Sequence, residues 1–263
     1  HDTRETERRL DVAHEIFDGI IDVAEQGFDP YLSIWDPIST WMSVEDALYA
    51  MVDRPAYIAE MVRRMVVGYM SMLDQAEELG VLCQPQDLIH CTGAYTDELP
   101  VAGFDPRRPR TCDVWMFGLA QMFSTVSPAM FEEFEIDPCM PLFERFGLVY
   151  YGCCDPLDRK MAEVRKIPNL RKISMSPWAD EEIGAAEIKG DYVFSRKPNP
   201  AFLAWDRFDE QEVHNHLQAS IDVCARHGCP LELILKDVST VRYEPQRLWR
   251  WAEIAMELVG GKA

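Results

Sequence analysis

The chain alternates between short apolar runs that end in polar residues and longer segments in which apolar residues recur every three or four positions. The longer segments predict amphipathic helices, and the short runs predict buried strands. The predicted helices cover residues 3–26, 55–79, 114–127, 128–146, 180–189, 209–227 and 242–260. The predicted strands cover residues 31–36, 87–93, 148–156, 170–176, 192–198 and 231–237.

Strands and helices follow one another throughout, with no two predicted strands joined by a hairpin turn. This order is typical of a parallel sheet, in which each strand is followed by a crossover helix. Six β/α units can be counted. No internal repeat and no linker interrupts them, so we expect residues 1–263 to form one α/β domain.

The composition of the chain indicates which binding partners and which cellular compartment to expect. The chain has 45 acidic and 26 basic residues, for a net charge of −19, and such a charge disfavours nucleic acid and anionic membrane surfaces as partners. Eight cysteines in 263 residues are too sparse for a disulfide scaffold. The first residues are charged rather than apolar, unlike a secretory signal. We therefore expect reduced cysteines and a cytoplasmic location.

Reactive side chains are concentrated where the predicted strands end. In a parallel α/β sheet, these carboxyl ends form the edge at which active sites are built. The candidates at these ends are Asp36, His90, Cys91, Cys153, Cys154, Asp155, Ser174, Ser176, Ser195, Arg196, Lys197, Lys236, Asp237, Ser239 and Thr240. Helix capping is the alternative role for the Ser, Asp and Thr residues among them.

Cys153 and Cys154 allow two interpretations. One thiolate could bind a zinc ion together with ligands from other strands. Alternatively, both are buried apolar residues, as free cysteines often are. Neighbouring residues of a strand point to opposite faces, so the two thiols are not expected to share one metal.

The histidine and the basic residues at the strand ends also allow more than one role. His90 could serve as an acid, base or ligand, or only as a hydrogen-bonding group. Arg196, Lys197 and Lys236 could bind a carboxylate or phosphate group of a substrate, or could pair with Asp155 and Asp237.

Several motifs resemble the uroporphyrinogen decarboxylase superfamily. They are residues 113–121, 123–134, 146–148, 151–157, 168–174 and 234–240, and the similarity runs from about Tyr31 to the C-terminus. The resemblance implies a (β/α)8 TIM-type barrel whose site lies at the carboxyl ends of the strands. With six units counted, it further implies that the first one or two β/α units are missing and that the chain is N-terminally incomplete.

The resemblance implies two chemistries. Methyltransferases of the superfamily work with corrinoid proteins and hold zinc with a His-x-Cys motif and a further Cys. Tyr151-Gly152-Cys153 stands at the His-x-Cys position, and Ser239 stands near the further Cys. The decarboxylases act on uroporphyrinogen in tetrapyrrole (haem) biosynthesis and need no cofactor, but the N-terminal Arg motif with which they grip it is absent here.

The leading hypothesis is methyl transfer between a small substrate and a corrinoid protein, assisted by zinc. Decarboxylation of uroporphyrinogen is the alternative, and a non-catalytic ligand-binding barrel is the third hypothesis. The predicted catalytic residues are His90, Asp155 and Asp237, and the predicted metal ligands are Cys153 and Asp237. The predicted substrate-binding residues are Asp36, Tyr151, Arg196, Lys236 and Ser239. A homodimer is the expected form of self-association.

Overall fold

A six-stranded parallel sheet forms the centre of the protein, in a computed structural model that describes residues 1–260. The eight strands within the described residues are β1 (Tyr31–Leu32), β2 (Leu88–Ile89), β3 (Thr92–Gly93), β4 (Trp115–Gly118), β5 (Leu148–Tyr151), β6 (Leu170–Met175), β7 (Val193–Arg196) and β8 (Leu231–Leu233). The central sheet has the order β1-β4-β5-β6-β7-β8, whereas β2 and β3 form a separate antiparallel pair. The prediction of an α/β protein with a parallel sheet is confirmed.

Helices connect the strands and cover one side of the sheet. They are α1 (Thr3–Phe17), α2 (Trp35–Trp41), α3 (Val44–Asp53), α4 (Pro55–Leu79), α5 (Pro128–Phe131), α6 (Asp137–Phe143), α7 (Met161–Val164), α8 (Glu181–Ile188), α9 (Ala201–Ala204), α10 (Glu210–His227) and α11 (Gln246–Gly260). A π-helical turn, Glu132–Ile136, joins α5 to α6. No helix within residues 1–260 is long and apolar enough to cross a membrane.

The long helices begin and end where local chemistry dictates. Helix α4 starts at Pro55, whose fixed φ suits the first helical position, and stops at Gly80 in the left-handed conformation. Helix α10 is capped by the Asp209 carboxylate and ends at Gly228, also left-handed. These boundaries agree with those predicted from the sequence. Helix α1 is shorter than predicted, since it ends at Phe17.

The two faces of the sheet differ in what they contact. On the helix-covered face, Val149, Tyr151 and Phe194 belong to the main apolar core. On the opposite face, called the inner face below, Phe117 and Tyr150 pack with residues of the β2–β3 hairpin. Because side chains alternate along a strand, each strand supplies residues to both faces.

Two sequence predictions in this region are wrong. Residues 87–93 form the β2–β3 hairpin rather than a strand of the central sheet, so two strands are joined by a hairpin turn. Residues 114–127, predicted as a helix, contain β4 and a 3-10 turn, Gln121–Thr125. All four residues of β4 are buried, so its apolar run carries no alternation from which a strand could be distinguished from a helix.

The predicted eight-stranded barrel is not seen as a closed structure in residues 1–260. Strands β1 and β8 are the two edges of the sheet and do not pair with each other. The hairpin partly fills the inner face near these edges: the Thr92 hydroxyl lies 2.7 Å from Glu232 of β8, and Lys172 of β6 lies 2.9 Å from the same carboxylate. These contacts tie the hairpin across the inner face.

Gly152, directly after β5, cannot carry a side chain without strain. Its φ is +94°, and an added Cβ would lie 2.4 Å from Leu157 Cδ1 and 3.2 Å from Ser174 Cβ. We expect Gly152→Ala to lower the free energy of unfolding by about 2–4 kcal/mol, from the positive φ and the overlap together. Urea unfolding measures this loss.

Gly103→Ala is the matched control for that substitution. Gly103 also has a positive φ, +82°, but an added Cβ would have no neighbour within 4 Å. Its expected cost is therefore the backbone strain alone, about 1–2 kcal/mol. Equal losses in the two variants would show that the space around Gly152 is not restricted.

Candidate functional site

Groups from three chain segments meet at the carboxyl ends of the strands. Cys153 and Cys154 follow β5, Lys236 and Asp237 follow β8, and His90 lies in the turn of the β2–β3 hairpin. These five residues are called the thiolate cluster below. The sequence had placed all five at strand ends, and the structure brings them into contact although up to 147 positions separate them along the chain (237 − 90).

The two thiols lie on the same side of the chain. Strand β5 ends at Tyr151, and Gly152 then turns the backbone with its positive φ. As a result, the Sγ atoms of Cys153 and Cys154 are 3.6 Å apart. The expectation that they point to opposite faces is wrong, because it assumed an extended strand through both residues.

Lys236 supplies the positive charge of the cluster. Its Nζ lies 2.8 Å from Cys153 Sγ, 3.5 Å from Cys154 Sγ and 3.0 Å from Asp237 Oδ2. Burial alone would lower the pKa of Lys236, but the bonds to Cys153 and Asp237 outweigh burial and raise it. Lys236 therefore stays an ammonium ion at neutral pH.

The arrangement makes Cys153 the thiolate of the pair. A hydrogen bond from the Cys154 thiol lowers the pKa of Cys153, burial opposes this effect, and the bond from Lys236 adds to it; the resulting pKa is about 7. The same hydrogen bond raises the pKa of Cys154, which remains the protonated donor. A substantial fraction of Cys153 is therefore a thiolate at neutral pH, at which an ordinary thiol is mostly protonated.

His90 is held over the cluster by an aromatic contact. Its ring stacks on Phe117 of β4, with centroids 4.3 Å apart, and its Nε2 lies 3.9 Å from Cys153 Sγ. Burial, together with the charges of Lys236 and Lys197, lowers the pKa of His90. The imidazole is therefore neutral at neutral pH and can accept a proton.

His90 and Asp237 both adopt backbone conformations that non-glycine residues rarely take. Their φ angles are +53° and +56°. Strain of this kind costs about 1–3 kcal/mol per residue and is concentrated at functional sites. Two of the six non-glycine residues with positive φ in residues 1–260 therefore belong to the thiolate cluster.

A cleft beside Cys154 is large enough for a small-molecule substrate. Its volume is about 830 Å³, and its lining includes Asp36, Gln121, Cys154 and Trp178. Asp36 accepts hydrogen bonds from Tyr31 and Gln121 at 2.9 and 3.3 Å. The predicted substrate residue Asp36 thus lies on the wall of this cleft.

The other predicted site residues lie away from the cluster or behind it. Tyr151 points to the helix-covered face and donates to buried Glu135 at 3.0 Å. Arg196 also points to that face, where it pairs with Glu181. Asp155 is fully buried and accepts the Cys153 N–H at 3.3 Å. Ser239 is exposed on the segment after Asp237.

Two groups near the cluster were not assigned a final role in the site from the sequence, although Lys197 was among the strand-end candidates. Tyr31 of β1 packs on His90 with ring centroids 5.5 Å apart. Lys197, after β7, lines a small cavity together with Cys153, Cys154 and Lys236. Strand alternation was the available signal for Lys197, because it is two positions after Ser195 on the inner face, whereas Arg196 is on the other.

Zinc, which the resemblance implies, does not fit this arrangement. The ammonium of Lys236 already lies between Cys153 Sγ and Asp237 Oδ2, where a cation bound by those two atoms would lie. Tyr151 replaces the expected histidine and points to the other face. Within residues 1–260, no three His, Cys, Asp or Glu side chains are arranged to hold a metal ion.

Comparison with known proteins adds no relative: no protein-family model matches the chain, and no curated protein sequence matches it significantly. The similarity to the uroporphyrinogen decarboxylase superfamily therefore stays a prediction from the sequence motifs.

Proposed function

We propose that the protein is a methyltransferase in which the Cys153 thiolate carries the methyl group between a small substrate and the corrinoid of a partner protein. The proposal joins the chemistry implied by the sequence motifs to the geometry of the thiolate cluster. We also propose that the six-stranded sheet is the major part of a TIM-type barrel, whose strand ends carry the site.

The contact between Lys236 and Cys153 is the observation that carries the functional proposal. A thiolate is a strong nucleophile toward carbon, and an adjacent ammonium keeps it ionised at neutral pH. The 2.8 Å distance from Nζ to Sγ gives Cys153 this partner within the protein. Lys236 thus takes the charge-stabilising role that zinc has in the methyltransferases the sequence resembles.

The transfer has two displacement steps. In the first, a lone pair of Cys153 Sγ forms a bond to the methyl carbon, and the bond from that carbon to the donor breaks with its electrons leaving on the donor. In the second, the acceptor attacks the same carbon and the electron pair returns to Sγ. Neutral His90, 3.9 Å from Sγ, is placed to take the proton of a protonated acceptor.

Methylcobalamin is a probe of this chemistry that needs no knowledge of the natural substrate. We expect Cys153 to displace the methyl group from it, so that Cys153 becomes a methyl thioether and both electrons of the cobalt–carbon bond remain on cobalt. Intact mass and peptide mapping measure the gain of one methyl group on Cys153, and the corrinoid spectrum reports the reduced cobalt.

Cys153→Ser should abolish this gain, and Cys229→Ser is the matched control. Cys229 donates to the Ala185 carbonyl at 3.3 Å, on the other side of the sheet, so its loss should leave methylation of Cys153 unchanged. Methylation spread over several cysteines, or none on Cys153 under conditions in which free thiols react, would contradict the proposal.

Uroporphyrinogen decarboxylation has less support from this site. Its substrate carries many carboxylate groups, which arginine side chains bind well. Arg196, the strand-end arginine predicted to bind an anionic group, donates to the Ser176 carbonyl at 2.6 Å and pairs with Glu181 on the helix-covered face. Release of carbon dioxide on incubation with uroporphyrinogen would nevertheless favour this alternative over methyl transfer.

A further inference from the structure

Lys197 is the centre of a buried ring of polar groups on the inner face. Its side chain is 1% exposed, and Nζ contacts the Tyr150 hydroxyl, the Ser195 hydroxyl and, at 3.2 Å, the Ser195 carbonyl. The Ser195 hydroxyl in turn donates to the Tyr150 oxygen at 3.3 Å. The ring lies directly below the thiolate cluster.

The hydrogen-bond partners of Lys197 are all uncharged groups. Nζ donates to the Tyr150 oxygen and to the two oxygens of Ser195. Within residues 1–260, no carboxylate lies at ion-pair distance from Lys197 to hold a charge on it. Burial lowers the pKa of Lys197 to about 8.

The groups that influence the charge of Lys197 come from three chain segments. They are Cys91 of the hairpin turn, Glu232 of β8, Cys153, Lys236 and Tyr150. Glu232 is already paired with Lys172 and Thr92, and Cys153 is paired with Lys236. The charges of Glu232 and Cys153 are therefore neutralised by other groups.

Lys197 is buried, but its side chain borders a small cavity. It lines the small cavity that Cys153, Lys236 and Asp237 also line, so the amine and the thiolate face the same space. Pro177, Pro198 and Pro200 form the apolar part of the wall. The cavity has a volume of about 10 Å³, room for about one water molecule, so a small carbonyl compound must displace side chains to reach both nucleophiles.

We propose that Lys197 is a nucleophilic amine that condenses with a small carbonyl compound to form an imine. The lone pair of Nζ forms a bond to the carbonyl carbon, the carbonyl oxygen leaves as water after taking up two protons, and nitrogen loses its two. Tyr150 is placed to deliver and recover a proton during the loss of water. Nothing in this proposal depends on methyl transfer, because it concerns a different nucleophile.

Glyoxylate with sodium cyanoborohydride tests the proposal on the full chain. The reagent reduces an imine to a stable secondary amine, which adds the carbon skeleton of glyoxylate to the lysine. We expect peptide mapping of the wild-type protein to find Lys197 modified before any other lysine. Tyr150→Phe, which removes the proton donor, should slow this modification about tenfold or more.

Lys160→Met is the matched control for Lys197→Met. Lys160 is also a buried lysine, 4% exposed, but its Nζ donates to the Phe123 carbonyl on the helix-covered side. The Lys160 variant should keep the glyoxylate adduct, and the Lys197 variant should lose it. Mapping the wild-type adduct keeps the test valid if a variant fails to fold.

Modification of surface lysines alone, or of Lys197 no faster than those, would overturn the proposal. Cys153→Ser separates it from the proposed methyl transfer, because a thiohemiacetal is not reduced to an amine and the adduct on Lys197 should persist. If this variant loses methyl acceptance and retains the adduct, the two nucleophiles act independently.

Discussion

Replacing Lys236 with methionine is expected to slow alkylation of Cys153 by iodoacetamide at neutral pH by about an order of magnitude. Loss of the ammonium raises the pKa of the thiol, and each pKa unit changes the thiolate fraction up to about tenfold. In the wild-type protein the pKa of Cys153 is about 7. The rate–pH profile should therefore have its midpoint near neutral pH in the wild type and at higher pH in the variant.

Two further variants control this experiment. Lys236→Arg keeps a positive charge and should restore part of the rate at neutral pH. Lys189→Met removes an exposed lysine on another part of the surface and should change nothing. If Lys236→Met alkylates with the wild-type midpoint, the ammonium does not stabilise the thiolate.

The second large effect is expected from Glu135, on the π-helical turn behind the sheet. Glu135 is 2% exposed, and its two oxygens accept from Tyr151 and from the Cys139 thiol at 3.0 and 3.6 Å. Burial raises its pKa from 4.5 to about 8. The folded protein therefore holds a proton on Glu135 at pH values at which the unfolded chain has released it.

The sign of the pH dependence follows from this proton. A raised pKa in the folded state contributes stability that is fully present below about pH 4.5 and is lost as the pH rises through about 8. Over that window Glu135 should reduce the free energy of unfolding by up to about 1.4 kcal/mol per pH unit. Glu135→Gln, which is nearly isosteric and does not titrate, should lack this decline.

Urea unfolding of both proteins between mildly acidic and mildly alkaline pH measures the difference. The stability of the Gln variant relative to the wild type should increase steadily with pH. Glu133→Gln, an exposed substitution on the same turn, should follow the wild-type curve. Parallel curves for Glu135→Gln and the wild type would show that Glu135 is ionised in the folded protein.

Much of the fold could be predicted from hydrophobic periodicity and capping residues. Helices α4 and α10 carry both a start signal and a glycine stop, and their predicted bounds agree with the structure. Strand β4 could not be recognised, since all its residues are buried and its pattern fits a helix equally well. Closure of the sheet depends on pairing between distant strands, which a single sequence does not encode locally.

The site shows the same division between local and long-range information. The sequence placed Cys153, Lys236 and Asp237 at strand ends, and parallel topology then brings them together. His90 reaches them from the turn of the antiparallel β2–β3 hairpin, which the sequence did not predict. It did not show that Gly152 turns Cys153 and Cys154 to one side, because the neighbouring residues in the sequence do not determine the φ of a glycine. It also did not show that the side chains of Lys197 and Arg196 lie on opposite faces of the sheet, because the face of each depends on where β7 begins.

The central claim is that Lys236 and Cys154 keep Cys153 a thiolate at the carboxyl ends of the strands. An ultraviolet titration of the thiolate tests this claim most directly. The difference in thiolate absorbance between wild type and Cys153→Ser isolates this residue from the other seven cysteines. We predict a titration with a midpoint of about pH 7 that moves to higher pH in Lys236→Met. A midpoint at the value of an ordinary thiol in the wild type, unchanged by Lys236→Met, would contradict the claim.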